Sequence, residues 1–270
     1  MIELKNVSKT FQEGTANEVR ALVNISLTVH QGDFVTVIGT NGSGKSTLLG
    51  AIAGGFRPDE GSIVIAGSDV TDLADYRRAS FISRCFQDPF TGTAASMTVA
   101  ENLHMAFMRG APRGFSIGLS AKRLRYYREA LGELEMQLEE RLHTVVGTLS
   151  GGQRQALTLL MAVIVRPKVL LLDEHTAALD PKSAFQVLRL TQRFVERDSL
   201  TALMVTHHMD QAIELGNRTI MMHDGRIIED FAGKERAHLT SGDLHERFAG
   251  LRKREKLTPE MREYFHGEYR

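Results

Sequence analysis

The stretch that most constrains this chain is residues 39–47, GTNGSGKST, because it matches the pattern G-x-x-x-x-G-K-[ST] without a mismatch. An apolar, β-branched run precedes it at residues 34–38, and a helical pattern follows at residues 48–53. In such a strand, loop and helix, successive backbone N–H groups and the helix N-terminus surround a phosphate. A glycine-rich turn that matched by chance would lack these flanks. We therefore predict a nucleotide site made of Gly39, Thr40, Asn41, Gly42, Ser43, Gly44, Lys45, Ser46 and Thr47.

Composition limits the partners that the chain can have. Among 270 residues, Lys plus Arg and Asp plus Glu number 33 each, so the formal net charge is +0 and we predict no nucleic-acid partner. The one cysteine, Cys85, excludes an intramolecular disulfide, and we expect it to be a small buried residue. The longest apolar stretch, residues 156–165, is too short to span a bilayer. Because residues 1–5 also lack a secretory pattern, we do not expect the chain to cross a membrane.

Two stretches near the amino terminus alternate apolar and polar side chains. They are residues 2–7 and 24–29, and both are typical of half-exposed strands in an antiparallel sheet. Phe11 lies between them, before a loop that contains glycine. An aromatic ring here could stack on an adenine or belong to the core, and the residues alone leave both possibilities open.

The pattern becomes helical after Thr98, which is placed to cap a helix that begins at Val99. A second, strongly charged helix is predicted over residues 121–140, with its leucines on one face. Helices without strands between two sheet-forming stretches indicate an inserted helical lobe, at about residues 90–150.

Two further stretches carry residues suited to phosphate chemistry. Small residues at 150–152 lead into a helix, and a helix N-terminus is again a place where an anion can bind. The continuous apolar run at residues 169–172 predicts a buried parallel strand that ends in Asp173 and Glu174. Ligands bind at the carboxyl ends of such strands, and adjacent buried acids are costly unless a cation or a proton transfer uses them.

With these motifs in order, the chain resembles the ATP-binding subunit of an ABC transporter from about residue 2 to residue 230. The resemblance rests on the phosphate loop, Gln87 at a strand end, LSGGQ at 149–153, the Asp173–Glu174 pair, LD at 179–180 and TH at 206–207. It implies an α/β P-loop NTPase of ABC type, with a mixed core sheet, an amino-terminal antiparallel β element and the inserted helical lobe. It also implies an ATPase domain at 1–235 and a charged carboxy-terminal extension at 236–270, which we expect to be a solvated helix or a partner-facing arm.

The resemblance implies a role for each matching residue. Lys45 and the loop amides would hold the β- and γ-phosphates of ATP, while Ser46, Gln87 and, through water, Asp173 would complete a Mg²⁺ site. Glu174 would act as general base, and His207 would contact the γ-phosphate. Phe11 would stack on adenine. The residues that would meet ATP bound to a second copy of the chain are Ser150, Gly151, Gly152 and Gln153.

Two positions depart from the family pattern. His175 stands where the family usually has proline after the two carboxylates, so the loop lacks that fixed φ angle. His208 follows His207, and chemistry alone would allow either imidazole to contact the phosphate. Alignment of the motif selects His207, directly after Thr206.

The implied function is to power a separate integral-membrane permease from the cytoplasmic face of the plasma membrane, as a peripheral subunit. The sequence DEHTAALDP at 173–181 resembles ATP-binding proteins of bacterial tryptophan/tyrosine importers, so we expect an importer of amino-acid-like solutes. The expected partners are a second copy in a head-to-tail dimer, the permease and an extracytoplasmic solute-binding protein. The alternatives are an ABC exporter and a soluble ABC ATPase of translation or DNA repair, which usually carries two fused ATPase units.

Overall fold

The computed structural model describes residues 1–88, 90–110 and 118–255, with side chains up to residue 251. The described strands are β1 Ile2–Phe11, β2 Val19–Val29, β3 Phe34–Gly39, β4 Glu60–Ile65, β5 Ser68–Asp69, β6 Ile82–Cys85, β7 Val169–Asp173, β8 Thr201–Val205, β9 Arg218–His223 and β10 Arg226–Ala232. The described helices are α1 Lys45–Ala53, α2 Asp75–Arg78, α3 Val99–Phe107, α4 Ala121–Gly132, α5 Gly151–Val163, α6 Pro181–Arg197, α7 Met209–Glu214, α8 Gly233–His238 and α9 Ser241–Glu255.

The strands form two sheets of different character. The first has the order β2-β1-β4-β5 and is antiparallel throughout, and it contains both of the alternating amino-terminal stretches. The second has the order β10-β9-β3-β8-β7-β6, in which only the edge strand β10 runs antiparallel to its neighbour. β3, β7 and β8 are buried along their whole length, as expected of parallel strands covered on both faces.

The larger sheet brings the predicted chemical groups to one edge. β3 lies next to β8, and β8 lies next to β7, so the phosphate loop, the two carboxylates and the two histidines all follow the carboxyl ends of adjacent strands. Helix α1 packs between the two sheets through Leu48, Leu49 and Ile52, which are all fully buried. Binding at the carboxyl edge is general for open α/β sheets.

Helices α3 and α4 lie between β6 and β7 in the chain and pack on α5, where Leu103, Tyr127 and Leu131 are fully buried. Thr98 caps the start of α3, as predicted from the sequence, and Glu101 completes a capping box with it. The prediction of one helix over residues 121–140 is wrong, because α4 ends at Gly132. Glu135 and Gln137 have left-handed φ angles of 55° and 58°, which a helix cannot contain. The predicted lobe at 90–150 includes residues 111–117, and the predicted extension at 236–270 includes residues 256–270; both of these stretches lie outside the described residues.

The carboxy-terminal helices pack on the larger sheet. Leu244 and Phe248 of α9 are buried against Ile38 and Met221. The buried Arg236 of α8 donates to three carbonyl oxygens of residues 212, 213 and 215, at the end of α7. Residues 236–251 therefore form part of the folded body, which differs from the expected solvated helix. Leucine and phenylalanine spaced four apart are the sequence signal for this buried face.

Candidate active site

The phosphate loop runs from the end of β3 into α1. Gly44 has φ 96°, and a Cβ atom at this position would collide with the carbonyl oxygen of Ala21. A Cβ atom at Gly39 would collide with the carbonyl oxygen of Met222. These close approaches require glycine at both positions, and they let the loop fold tightly against the neighbouring strands.

Lys45 folds back over this loop. Its Nζ atom donates to the carbonyl oxygens of Gly39 at 3.0 Å and Thr40 at 2.9 Å. Burial lowers the pKa of the Lys45 ammonium, and the charges of Glu174 and Asp173 oppose that shift. The ammonium is thus held at the centre of the loop by its own backbone.

Unused donors in the loop fit a phosphate group. Gly44 has no side chain with which to cap α1, so the first N–H groups of the helix receive no side-chain acceptor from the cap. The hydroxyl of Ser43 is buried and has no hydrogen-bond partner among the described residues. Together with Lys45, these groups form a concave set of donors that matches an anionic oxygen cluster.

Asp173 contacts the first turn of the helix that follows this loop. Its Oδ1 atom accepts a hydrogen bond from Ser46 Oγ at 3.1 Å, so the structure brings these two predicted metal ligands together. Its Oδ2 atom accepts from Arg84 Nη2 at 2.7 Å. Hydroxyl and carboxylate oxygens are ligands that suit Mg²⁺, which usually takes one or two protein ligands and completes its shell with phosphate and water. Among the described residues, no cluster of three or more His, Cys, Asp or Glu side chains could hold a metal by itself.

Glu174 lies one residue past β7 in a constrained backbone conformation. Its φ angle is 43°, in the left-handed region, and its backbone N–H donates to Val205 O at 3.1 Å. Its Oε2 atom lies 3.4 Å from Nδ1 of His207, which follows the neighbouring strand. Glu174 has a half-buried side chain while His207 is more open, so this pair faces the opening of the site.

Only one of the two adjacent histidines contacts the carboxylate. His207 and His208 have ring centroids 4.1 Å apart, but the contact with Glu174 belongs to His207. The backbone N–H of His208 instead donates to Thr206 Oγ1 at 3.1 Å, and α7 begins at the next residue. The geometry therefore favours the same residue as the motif alignment.

His175 anchors the loop that follows the carboxylates. Its Nε2 atom lies 2.9 Å from Thr191 Oγ1 in α6, and the Thr191 hydroxyl lies 2.9 Å from Val187 O. Because that hydroxyl has one proton, which it donates to Val187 O, we assign Nε2 of His175 as the donor. Burial lowers the pKa of His175 to about 4, so the ring is neutral. This hydrogen bond fixes the loop where the family usually has proline, and the sequence showed the departure but not the partner.

The second predicted phosphate-binding loop, residues 150–153, has a different setting. Ser150 and Gln153 form a capping box at the start of α5, and the side chain of Ser150 is exposed. Gln153 also accepts from Arg141 at 3.2 Å and donates to Met136 O at 3.3 Å. Gly152 is buried against Ser183, which leaves no room for a Cβ atom. Among the described residues, no hydrogen bond joins this loop to the phosphate loop.

Two other predicted residues lie at exposed positions. Phe11 ends β1 and is 37% exposed, with its ring edge-to-face against Phe56 at 5.3 Å. Gln87 is exposed two residues past the end of β6. Sequence reasoning missed Arg84 of that strand, which contacts Asp173 directly. The available signal was a charged residue inside a strand that was predicted to be part of the sheet.

These features define the class of protein. A buried strand, a glycine loop with its lysine, a helix N-terminus without a side-chain cap and two carboxylates at the end of a second buried strand in the same sheet define a P-loop nucleoside triphosphatase. None of the helices among the described residues is both long and apolar enough to span a bilayer.

Comparison with known proteins gives the family. The ABC transporter family model matches residues 22–177. A tyrosine transport ATP-binding protein of Clostridioides difficile (strain R20291) is 42% identical over 248 residues, which cover 92% of this chain and 98% of that relative. A sulfate/thiosulfate import ATP-binding protein of Pseudomonas aeruginosa is 37% identical, and the match covers 84% of this chain and 65% of that relative.

Solved structures agree with this result. A dimeric, post-hydrolysis state of an ATP-binding cassette bound to ADP and Pi has a TM-score of 0.74 and 31% identity, covering 86% of this chain and 98% of that chain. The ADP conformation of another ABC transporter cassette has a TM-score of 0.73 and 26% identity, covering 92% and 98%. This chain belongs to the ABC transporter family and is one of its ATP-binding, ATP-hydrolysing members. The predicted fold class is confirmed, as is the predicted resemblance to this family.

Proposed function

We propose that this chain is the nucleotide-binding subunit of a bacterial importer for amino-acid-like solutes, and that two copies hydrolyse ATP at shared sites. The observation that carries this proposal is the division of the site. Lys45, Ser46, Asp173, Glu174 and His207 converge at one sheet edge, whereas the loop at 150–153 has Ser150 and Gly151 exposed at its start. A head-to-tail dimer would bring that exposed loop of one copy to the phosphate loop of the other. Dimeric cassettes among the structural relatives support this arrangement.

Within each site, the chain's own residues would bind, orient and take up a proton. Lys45 and the free N–H groups of the phosphate loop would hold the β- and γ-phosphates. Glu174 would accept the proton of the attacking water, and His207 would orient Glu174 and contact the γ-phosphate. Mg²⁺, when bound, supplies positive charge that neutralises the phosphate oxygens. Ser46 and Asp173 would hold it, with Gln87 as a further ligand.

Binding on the outer side of the site would involve adenine and the second copy. Phe11, exposed at the end of β1, would stack on the adenine ring. Ser150, Gly151, Gly152 and Gln153 would contact the γ-phosphate held by the other copy. Closure of the two copies on ATP, and their opening after hydrolysis, would drive an integral-membrane permease to which the chain binds at the cytoplasmic face of the plasma membrane. An extracytoplasmic solute-binding protein would deliver the cargo.

A substitution of the general base tests the catalytic proposal. Glu174→Gln keeps the size of the side chain but cannot accept a proton, so we expect ATP hydrolysis to fall by about 100-fold or more while ATP binding persists. The variant should then elute as a dimer with ATP on a sizing column. Glu214→Gln, which changes an exposed glutamate at the end of α7, is the matched control. Substantial hydrolysis by Glu174→Gln would remove Glu174 from the role of base.

Uptake measurements test the proposed cargo and direction. Cells that carry the chain with its permease should take up labelled tyrosine, and the same cells with Glu174→Gln should not. Sulfate uptake is the comparison, because the two relatives described above are named for different solutes. Equal tyrosine uptake by cells with the wild-type chain and cells with Glu174→Gln would contradict the amino-acid assignment. Greater accumulation of labelled solute in the Glu174→Gln cells than in the wild-type cells would indicate export.

A further inference from the structure

Arg84 contacts the carboxylate that is proposed to hold the metal. Its Nη2 atom lies 2.7 Å from Asp173 Oδ2, while Ser46 Oγ donates to Asp173 Oδ1. Both oxygens of Asp173 are therefore engaged by donors of the same chain. The two side chains are 27% and 12% exposed, so water screens this ion pair only in part.

The strand register and an aromatic ring hold Arg84 in place. Residue 84 of β6 pairs with Leu171 of β7, which puts its side chain on the same face of the sheet as that of Asp173, two residues further along. The Arg84 guanidinium also lies over the ring of Phe86, with its carbon 4.8 Å from the ring centroid. Its Nε atom is buried and has no hydrogen-bond partner among the described residues. The ion pair with Asp173 is thus its main polar contact.

A divalent cation and a guanidinium cannot both use this carboxylate at full strength. A cation held between Ser46 and Asp173 would attract electron density from the same oxygens that Arg84 neutralises, and the two positive groups would repel each other across a few ångströms. Arg84 therefore places a positive charge beside the carboxylate at which the metal would act. Phosphate oxygens would supply the additional negative charge that favours the metal over Arg84.

We propose that Arg84 is a resident counter-ion of Asp173, which competes with the divalent cation for that carboxylate and makes metal binding depend on bound nucleotide. This inference rests on the proposed metal role of Ser46 and Asp173. Arg84 acts through Asp173, so it is a positioning residue. It keeps the carboxylate oriented and paired while the site is empty of nucleotide.

Mn²⁺ binding without nucleotide is the direct test, with Mn²⁺ as a paramagnetic probe for the site. Free Mn²⁺ is measured by electron paramagnetic resonance during titration of the purified full chain, first alone and then with ADP. Arg84→Met removes the charge and keeps an unbranched side chain, so we expect it to bind Mn²⁺ about fivefold to tenfold more tightly than the wild type without nucleotide. With ADP, the difference should shrink. Arg84→Gln should behave like Arg84→Met, so it serves if the methionine variant fails to fold.

Two controls separate charge from shape and from position. Arg84→Lys keeps the positive charge, and its affinity for Mn²⁺ should stay within about twofold of the wild type. Arg57→Met removes an equal charge from an exposed ion pair with Asp72, away from the site, and should change nothing. Unchanged or weaker Mn²⁺ binding in Arg84→Met and Arg84→Gln would overturn the inference.

Asp173→Asn distinguishes failure of this inference from failure of the proposed function. If the amide variant loses Mn²⁺ binding but the Arg84 variants match the wild type, Asp173 holds the metal and only the role of Arg84 is wrong. If Asp173→Asn binds Mn²⁺ as the wild type does, the proposed metal site is itself wrong.

Discussion

Two helices of this chain begin at loops that we propose to bind phosphate, and their first turns differ. Helix α1 follows Gly44, which offers no side-chain cap, and it is enclosed by its own chain, with Ser43 and Lys45 buried. Helix α5 follows Ser150, which forms a capping box with Gln153 and lies at the surface. The first loop has free donors beside a buried ammonium, whereas the second has its donors partly satisfied by its own side chains and carries Ser150 at the surface.

This difference is consistent with the proposal that one chain supplies two unlike halves of a site. A loop with free donors and a buried ammonium gains most from a bound anion, so it can hold nucleotide without help. A loop that is already stabilised by its own side chains can remain ordered at the surface until a ligand arrives from outside. We therefore expect the phosphate loop to determine affinity and the loop at 150–153 to determine turnover.

The largest expected effect separates binding from turnover. Lys45→Ala removes the charge at the centre of the phosphate loop and should weaken binding of a fluorescent ATP analogue by about 100-fold. Ser150→Arg should leave that affinity within about threefold, because the first loop is intact, yet should lose hydrolysis. Fluorescence anisotropy and phosphate release measure the two quantities, with Lys182→Ala, at an exposed position near the start of α6, as the control. Equal losses of ATP affinity in Lys45→Ala and Ser150→Arg would show that the two loops do not differ in their contribution to binding.

A smaller effect on hydrolysis is expected from substitutions of the adjacent histidines His207 and His208. His207→Ala removes the contact with Glu174 and should lower kcat by about 10-fold or more, with little change in KM. His208→Ala should stay within about threefold of the wild type, because its N–H contact to Thr206 is made by the backbone. Steady-state kinetics on both variants decides this, and the reverse ranking would show that His208 is the residue at the phosphate.

The smallest expected effect is on stability, through His175 in the loop after the two carboxylates. Burial lowers the pKa of His175 from 6.5 to about 4 in the folded chain. As pH falls from about 6.5 to about 4, the unfolded chain therefore binds a proton at this ring that the folded chain does not bind. The free energy of unfolding decreases over this pH range. Acidification from pH 7 to pH 5 should cost the wild type about 1 to 2 kcal/mol more than it costs His175→Gln, which has no imidazole to titrate. Urea unfolding at the two pH values measures this, and identical losses would contradict a neutral buried ring.

Local sequence patterns predicted the parts of the fold that depend on short-range chemistry. The match at residues 39–47, the apolar run before Asp173 and the capping residue Thr98 each gave the correct element. These features depend on neighbours within a few residues, which a sequence displays directly. The order of the motifs then sufficed for the family.

The remaining features depend on contacts between distant residues. The Arg84–Asp173 pair requires the register of β6 against β7, and the His175–Thr191 hydrogen bond requires α6 to lie over the loop. The end of α4 at Gly132 was missed because Leu134 and Leu138 continue the helical spacing while packing from a non-helical segment. In each case, tertiary contacts override the local pattern.

The central claim is that each ATP is hydrolysed between the phosphate loop of one copy and the loop at 150–153 of another, and mixing two inactive variants tests it most directly. Lys45→Ala and Ser150→Arg should each lack hydrolysis alone. Mixed in equal amounts, they should recover activity, because a mixed dimer contains one site in which both loops are intact and one in which both are changed. Recovery of up to about one quarter of the wild-type rate is expected if half of the dimers are mixed and their sites act independently. Normal hydrolysis by either variant alone would contradict the shared site.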